Sequence, residues 1–345
     1  MEDKSMLTNS NKKVLVLGGT GAMGVYLVPE LASMGYQVDV VSLDDRVNDQ
    51  PKITYIKANA KDITYLRGLL ANKYDAIVDF MIYSTSEFAS RFEMLLDNTD
   101  HYIYLSSYRV YADSTPIRED SPRLLDVSDD LDYLATEDYS LYKARGENII
   151  RASKYDNWTI IRPAITFSKF RYQLVTLEAN TIVYRAMNKL PVILPQEAMT
   201  VQATMSWAGD VARMIARLVL NPAARKEAYT LATAEHHTWE EIAHYYHEII
   251  GLEYRTVDTD TYLGFFDQPG SDAVRYARHQ LLYDRCYNRI VDNSKILLAT
   301  GLKQADFMPV KSGLAKELSA LPPNTVWRAS PMSDKMSAFL QAGKP

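Results

Sequence analysis

Short apolar runs recur through the first half of the chain, each followed by a polar or glycine-rich break and then a longer stretch of helical periodicity. The runs Lys13–Leu17, Gln37–Leu43, Thr54–Lys57, Ala76–Phe80, His101–Ser107 and Thr159–Arg162 have the length and near-continuous apolar character of strands buried on both faces. Between them the pattern predicts helices over Val25–Met34, from about Asp62 to Asn72, over Ser86–Asp97 and over Asp138–Ser153. Pro29 conflicts with the first of these helices, because it removes a backbone hydrogen bond near Val25 and should bend it. Strand and helix in strict alternation imply right-handed crossovers and an α/β fold built on a doubly wound parallel sheet. From about Phe167 the pattern loosens, as a smaller domain over the carboxyl edge of the sheet would require.

This gives domain boundaries at 11–166 for the sheet domain, with 200–232 returning to it. The second domain comprises 167–199 and 233–320, and 321–345 is a tail. Asp210, in Met205–Ala212, is expected to cap a helix, and Trp239–Ile250 is an amphipathic helix stopped by Gly251. Pro322, Pro323 and Pro331 predict an extended or mobile tail.

The first strand runs straight into Gly18-Gly-Thr-Gly-Ala-Met-Gly24. Strand, glycine-rich turn and helix together make a phosphate site. Gly18 allows the tight turn, Gly21 lets backbone approach a pyrophosphate, and Gly24 lets helix pack on strand. Asp44, at the tip of the second strand, is placed for the adenosine ribose hydroxyls of NAD and would repel the 2′-phosphate of NADP; Arg46 close by works the other way. Asp62 has two readings, a contact to the adenine amino group or a helix cap. Further on, Tyr139 and Lys143 stand four apart on a predicted helix and so share a face. A phenol with an ordinary pKa near ~10 is a poor base, but a cation held beside it favours the phenolate. Tyr139 could then take a proton from a substrate hydroxyl as hydride leaves the same carbon.

Composition narrows the partners. In 345 residues, 47% hydrophobic and 23% charged, the formal net charge is −5, which gives no global attraction to nucleic acid or an anionic membrane. Cys286 is the single cysteine, so an intramolecular disulfide is excluded, and it reads as a small buried residue. His236, His237, His244 and His247 lie close together, but their aromatic and aliphatic neighbours favour ordinary histidines over metal ligands. The polar first ten residues lack the core of a signal peptide, and there is no apolar run long enough to span a bilayer. Cytoplasm is the expected compartment.

These motifs, in this order, resemble the extended short-chain dehydrogenase/reductase superfamily, in particular its NAD-dependent epimerase/dehydratase branch. Gly18, Gly21 and Gly24 match its Gly-x-x-Gly-x-x-Gly, Leu43-Asp44 its acidic strand end, and Asp62-Ile63 its adenine contact. Leu105-Ser-Ser-Tyr-Arg-Val-Tyr111 is similar to its Ser-Ser-x-x-Val-Tyr segment, Tyr139 and Lys143 to its Tyr-x-x-x-Lys, and Ile161-Arg-Pro-Ala164 to its Arg-Pro segment beside the nicotinamide. The resemblance implies a Rossmann-like domain with a smaller substrate-binding domain, a bound NAD and a catalytic set of Ser107, Tyr139 and Lys143. It further implies cofactor contacts by Thr20, Ala22, Met23, Ile63, Phe80, Met81 and Pro163 besides those already named. Substrate contacts would come from Ser84, Ser107 and Arg285, the last for a nucleotide diphosphate by preference over Arg289. Met81 departs from the small residue usual at its position, and Ser168 stands where the family has glycine.

By that resemblance the expected activity is epimerisation of a nucleotide-diphosphate sugar by a homodimer. Ser107 would hold the reacting oxygen, Tyr139 shuttle its proton and Lys143 hold the nicotinamide ribose. A dehydratase fits less well, since Ser107-Tyr108-Arg109 carries no carboxylate where that subgroup has Thr-Asp-Glu. A keto-sugar reductase or dehydrogenase is the runner-up, because the first half-reaction is the same. A non-catalytic regulator or RNA-associated protein on this fold is a third reading, which the intact Tyr139 and Lys143 and the acidic net charge disfavour.

Overall fold

The structure, a computed structural model, describes residues 11–47, 50–169 and 171–343. The signal-peptide reading of Met1 to Ser10 therefore lies outside the described residues.

Seven parallel strands form the central sheet: β1 (Lys13–Leu17), β2 (Gln37–Ser42), β3 (Ile53–Lys57), β4 (Tyr74–Asp79), β5 (Thr99–Leu105), β6 (Trp158–Pro163) and β7 (Glu227–Leu231). They lie in the order β7-β6-β5-β4-β1-β2-β3. The chain winds outward through β2 and β3, then returns to the other side of β1. The carboxyl ends of β1 and β4 therefore flank the switch point, where ligands bind in open α/β sheets.

The sequence forces this burial. Val14 and Val16 point to one face of β1, where they pack in a cluster with Leu27, Val28 and Leu31 of helix α1 (Gly24–Ser33). Leu15 and Leu17 point to the other face, toward Leu66, Leu70, Phe88 and Leu95. A strand covered on both sides has no polar face to offer, which is why β1 reads as an unbroken apolar run. Each fully buried Leu or Val contributes about 1.5–3 kcal/mol to this arrangement. The smaller sheet Ile165–Phe167, Gln202–Trp207 and His236–Thr238 and helices such as Trp239–Ile250 and Val310–Ser319 sit around a separate apolar cluster, whereas the helix Ser294–Thr300 packs by Ile296 into the cluster of the central sheet.

Several expectations need correction. The predicted helix Ser86–Asp97 is two helices, Thr85–Ala89 and Phe92–Asp97. Arg91 causes the break: its Nε donates to the Glu87 carbonyl at 2.7 Å, and its own N–H goes to Phe88 instead. Asp210 is not a cap, because Trp207 precedes the helix Ala208–Leu218 and Asp210 lies within its first turn. Its buried carboxylate pairs with Arg213 and accepts from the Met308 N–H at 2.7 Å, which ties that helix to the distant loop. The tail is not extended throughout. Pro331–Ala342 is a helix capped by Ser330, with Met336 fully buried and Ser333 receiving Arg185. Proline at the first helical position lacks only an N–H that would have had no partner there, so Pro331 starts structure where it was read as preventing it. Pro29 stands inside α1, which runs unbroken across it.

Candidate active site

A cavity of about 330 Å³ opens at the carboxyl edge of the sheet, over the ends of β1, β4, β5 and β6. Its floor at β1 is the glycine turn, with Gly18, Gly21, Ala22, Met23 and Gly24 on the wall. Gly18 has φ +73°, a backbone that side chains disfavour, and a methyl on Gly21 would meet nothing nearer than the Gly18 oxygen at 3.5 Å. The space before the α1 amino terminus is thus open to a phosphate. A methyl on Gly24 would lie 2.3 Å from the Gly19 oxygen, so Gly24 permits a close approach to the turn itself rather than to the strand. Gly19, given no role from sequence, is as tight: its added carbon would be 2.8 Å from both Val16 and Val40.

The opposite wall is the hydroxyl pair after β5 and the helix α2 (Tyr139–Ala152). Asp138 caps α2, accepting from the Ser140 N–H at 3.0 Å and its hydroxyl at 2.7 Å. Burial pushes the Asp138 carboxyl up, yet His279, Arg109 and Ser140 together hold it below the usual carboxylate range. Ser107 and Tyr139 both line the cavity. The Ser107 oxygen accepts from the Arg109 N–H at 3.2 Å. Behind them Lys143 is buried, donating to the Leu105 carbonyl at 2.6 Å with its Nζ 5.9 Å from the centre of the Tyr139 ring. Burial brings the Lys143 ammonium down to about 8, opposed by the carboxylates of Asp79 and Glu147. It keeps most of its charge at neutral pH.

Ser106 shares the cavity wall, but its hydroxyl donates to Glu147 at 2.5 Å, so Ser107 is the one of the pair not committed to a carboxylate. Arg162, of the Arg-Pro segment, turns away from the cavity to Glu147, and Pro163 lines the wall.

The remaining expected site residues divide. Phe80 and Arg285 lie on the cavity, whereas Arg289 is buried behind it, donating to Asp284 and to the Tyr111 and Ala112 carbonyls. Met81 turns its sulfur toward Gly18 and packs into the core, so Phe80 and Ile82 present the cavity face of this segment. Ser84 caps the helix Thr85–Ala89 in a box with Glu87 and is not on the cavity wall. Asp62 caps the helix Ile63–Leu70 through the Thr64 and Tyr65 N–H groups, so that of its two readings the cap is the contact it makes here. Thr20 shares a hydrogen bond with Ser42 at 2.6 Å, joining the turn to the end of β2, beyond which Asp44 is exposed. Sequence reasoning missed Arg109, Thr166, Arg171, Gln173, Glu178 and Gln280, which come to the cavity from loops, short strands and a helix end.

The four clustered histidines bind locally, for example His237 to Glu235 at 2.6 Å and His236 to the Val291 N–H at 3.0 Å. Among the described residues there is no group of three or more potential metal ligands. Burial pushes the half-buried Cys286 thiol up to about 11. Among the described residues no helix is long and apolar enough to cross a membrane.

Comparison with known proteins bears on the fold. Residues 14–91 match the family described as the NAD dependent epimerase/dehydratase family. The chain is 24% identical over 251 residues to the chloroplast stem-loop binding protein of 41 kDa b of Arabidopsis thaliana, a match covering 68% of this chain and 62% of that protein. Among solved structures it is similar to the Bordetella bronchiseptica enzyme WbmH in complex with NAD+, with TM-score 0.66, 16% identity, and 91% of this chain and 99% of that one covered. WbmG of the same organism, in complex with NAD and UDP, gives TM-score 0.64 and 16% identity over 89% and 92% of the two chains. The Rossmann-like fold expected from sequence is the one these structures share.

Proposed function

We propose that this chain, whose residues 14–91 match the NAD dependent epimerase/dehydratase family, is an NAD-dependent epimerase of a nucleotide-diphosphate sugar. One observation carries the reading: Ser107 and Tyr139 face the same cavity as the Gly18–Gly24 turn, with the Lys143 ammonium held behind the phenol. The open approach at Gly21 and the exposed Asp44 beyond β2 fit NAD, the turn taking its pyrophosphate and Asp44 its adenosine ribose. NAD bound there supplies a hydride acceptor that can also give the hydride back. Tyr139 takes the proton of a sugar hydroxyl and later returns it, while Ser107 donates to the same oxygen as charge develops on it. Lys143, buried behind the phenol, keeps a positive charge there. Epimerisation is favoured over dehydration because the side chains that follow Ser107 are Tyr108 and Arg109, neither of them a carboxylate that could protonate a departing hydroxyl.

The test is to identify by mass spectrometry the nucleotide released when purified protein is denatured, and then to screen UDP-, GDP-, CDP- and dTDP-sugars for inversion. Tightly bound NAD with inversion and no net redox change is the expected result. Protein that carries no nucleotide and consumes NAD(P)H stoichiometrically would instead be the reductase. The stem-loop binding relative supports a second reading, an RNA-associated protein. Stem-loop RNA retained on a filter at physiological salt, together with failure of Tyr139→Phe to change any activity, would favour it. A homodimer, checked by light scattering, completes the proposal.

A further inference from the structure

Arg109 belongs to none of the roles above, yet it occupies the centre of the site. It lies in the helical turn Tyr108–Val110 that follows Ser107, and its guanidinium carbon stands 5.2 Å from the centre of the Tyr139 ring. Its side chain is 14% exposed and lines the cavity. The nearest carboxylates, Asp138 and Asp284, are each 3.7 Å away, longer than a hydrogen bond. Both are engaged by other groups: Asp138 by Ser140, and Asp284 by Arg285 and by the Arg289 Nε at 3.0 Å. The buried Arg109 Nε has no hydrogen-bond partner among the described residues.

The two carboxylates beside Arg109 are thus shared with other donors, and Arg109 holds neither at hydrogen-bond distance. A guanidinium offers a planar fork of donors matched to a carboxylate or phosphate. On the cavity wall, with its Nε unpartnered, that fork is where an anion entering the cavity can be held.

We propose that Arg109 binds an oxyanion of the substrate beside the hydroxyl handled by Tyr139, and that this oxyanion is a carboxylate carried by the reacting sugar ring. The inference rests on reading the cavity as a nucleotide-sugar site. Its reach is set by the 5.2 Å between the Arg109 guanidinium and the Tyr139 ring, about the width of one sugar ring. The same chemistry could come from the phosphoryl group on the sugar, so the experiment separates the two.

Equilibrium binding to the purified protein is measured for UDP-glucuronate, UDP-glucose and UDP, and for the dTDP counterparts, with wild type, Arg109→Gln and Arg109→Lys. The acid sugar is expected to bind about 10–100-fold more tightly than the neutral one, the scale of a charged hydrogen-bonded pair. Arg109→Gln should abolish that preference while leaving UDP affinity unchanged, and Arg109→Lys should restore part of it. Equal binding of acid and neutral sugars by wild type, or binding of neither, overturns the proposal without depending on a variant that folds. If Arg109→Gln weakens all three ligands alike while its melting temperature holds, the oxyanion is the phosphoryl group and the carboxylate assignment fails. Turnover is scored separately. Inversion of neutral sugars with no acid preference leaves the proposed function standing without this inference, and acid-selective binding without inversion does the reverse.

Discussion

Glu147 receives both the Nε and the Nη2 of Arg162, at 2.8 and 2.6 Å, in a pair from which solvent is excluded. The pair fastens α2 to β6, and the same carboxylate holds Ser106 and Arg123. Burial alone would push the Glu147 carboxyl up, but Arg162 and these donors hold it below the usual range. Replacing it by alanine leaves the buried Arg162 guanidinium without its paired carboxylate, with the Tyr111 hydroxyl and the Glu119 carbonyl as its remaining acceptors. Glu147→Ala should therefore cost about 3–5 kcal/mol in urea denaturation, the usual loss when one partner of a buried pair is removed. A change under about 1 kcal/mol would show that the pair does not anchor the catalytic helix.

Tyr139 is held on the cavity wall by the helix that Glu147 anchors, and its hydroxyl is the group assigned to move the substrate proton. Tyr139→Phe keeps the ring between Arg109 and Lys143 and removes only that hydroxyl. Turnover should fall by about 10²–10⁴-fold, with NAD affinity nearly unchanged. Retained turnover would reject the assignment, whatever the sugar.

Lys143 links the site to stability through pH. Its ammonium titrates at about 8 in the folded chain, below its ordinary value of 10.5, because burial outweighs the attraction of Asp79 and Glu147. Between those two values the unfolded chain binds the extra proton, so folding is favoured increasingly as pH rises from about 8 toward 10. Below pH 8 the full cost of burying the charge is present. Subtracting the stability of Lys143→Met from that of wild type isolates this contribution, and the difference should climb by on the order of 2 kcal/mol across that window. A flat difference, measured by denaturation at fixed salt without added nucleotide, would mean that the ammonium is not desolvated as its position implies.

The parts of the site that were legible in the sequence are those fixed by local regularity. Gly18–Gly24 follows an unbroken apolar strand, and Tyr139 and Lys143 share a helix face, so spacing pointed to these residues and the family resemblance supplied their expected roles. The rest depends on convergence. Arg171, Gln173 and Glu178 reach the cavity from loops and two-residue strands, and Gln280 from a helix end more than 100 residues later, with no period to mark them. Arg109 stood inside a recognised motif and was weighed only as the absence of a carboxylate, since its meaning lies in Asp138 and Asp284 from other elements. The break at Arg91 likewise depends on a side chain taking a backbone acceptor, which an apolar pattern does not register. The tail helix had a signal, serine then proline at Ser330 and Pro331, that the neighbouring prolines obscured.

Gly21 and Gly24 separate the binding role of the turn from its structural role. A methyl on Gly24 would fall 2.3 Å from the oxygen and 2.4 Å from the carbon of Gly19, both backbone atoms that move only if the turn moves. Gly24→Ala should lower the melting temperature, with an overpacking cost of about 1–3 kcal/mol or more, and weaken NAD as a consequence. A methyl on Gly21 meets only the Gly18 oxygen, at an ordinary 3.5 Å, so Gly21→Ala should melt close to wild type. Because Gly21 lies on the cavity wall, where the pyrophosphate must approach the backbone, the same methyl should still weaken NAD at least ~10-fold, or about 1.4 kcal/mol. Calorimetric titration of NAD alongside thermal melts of both variants makes the comparison. If Gly21→Ala binds NAD as tightly as wild type does, the pyrophosphate does not lie against this turn, and the assignment of the cavity as a dinucleotide site fails with it.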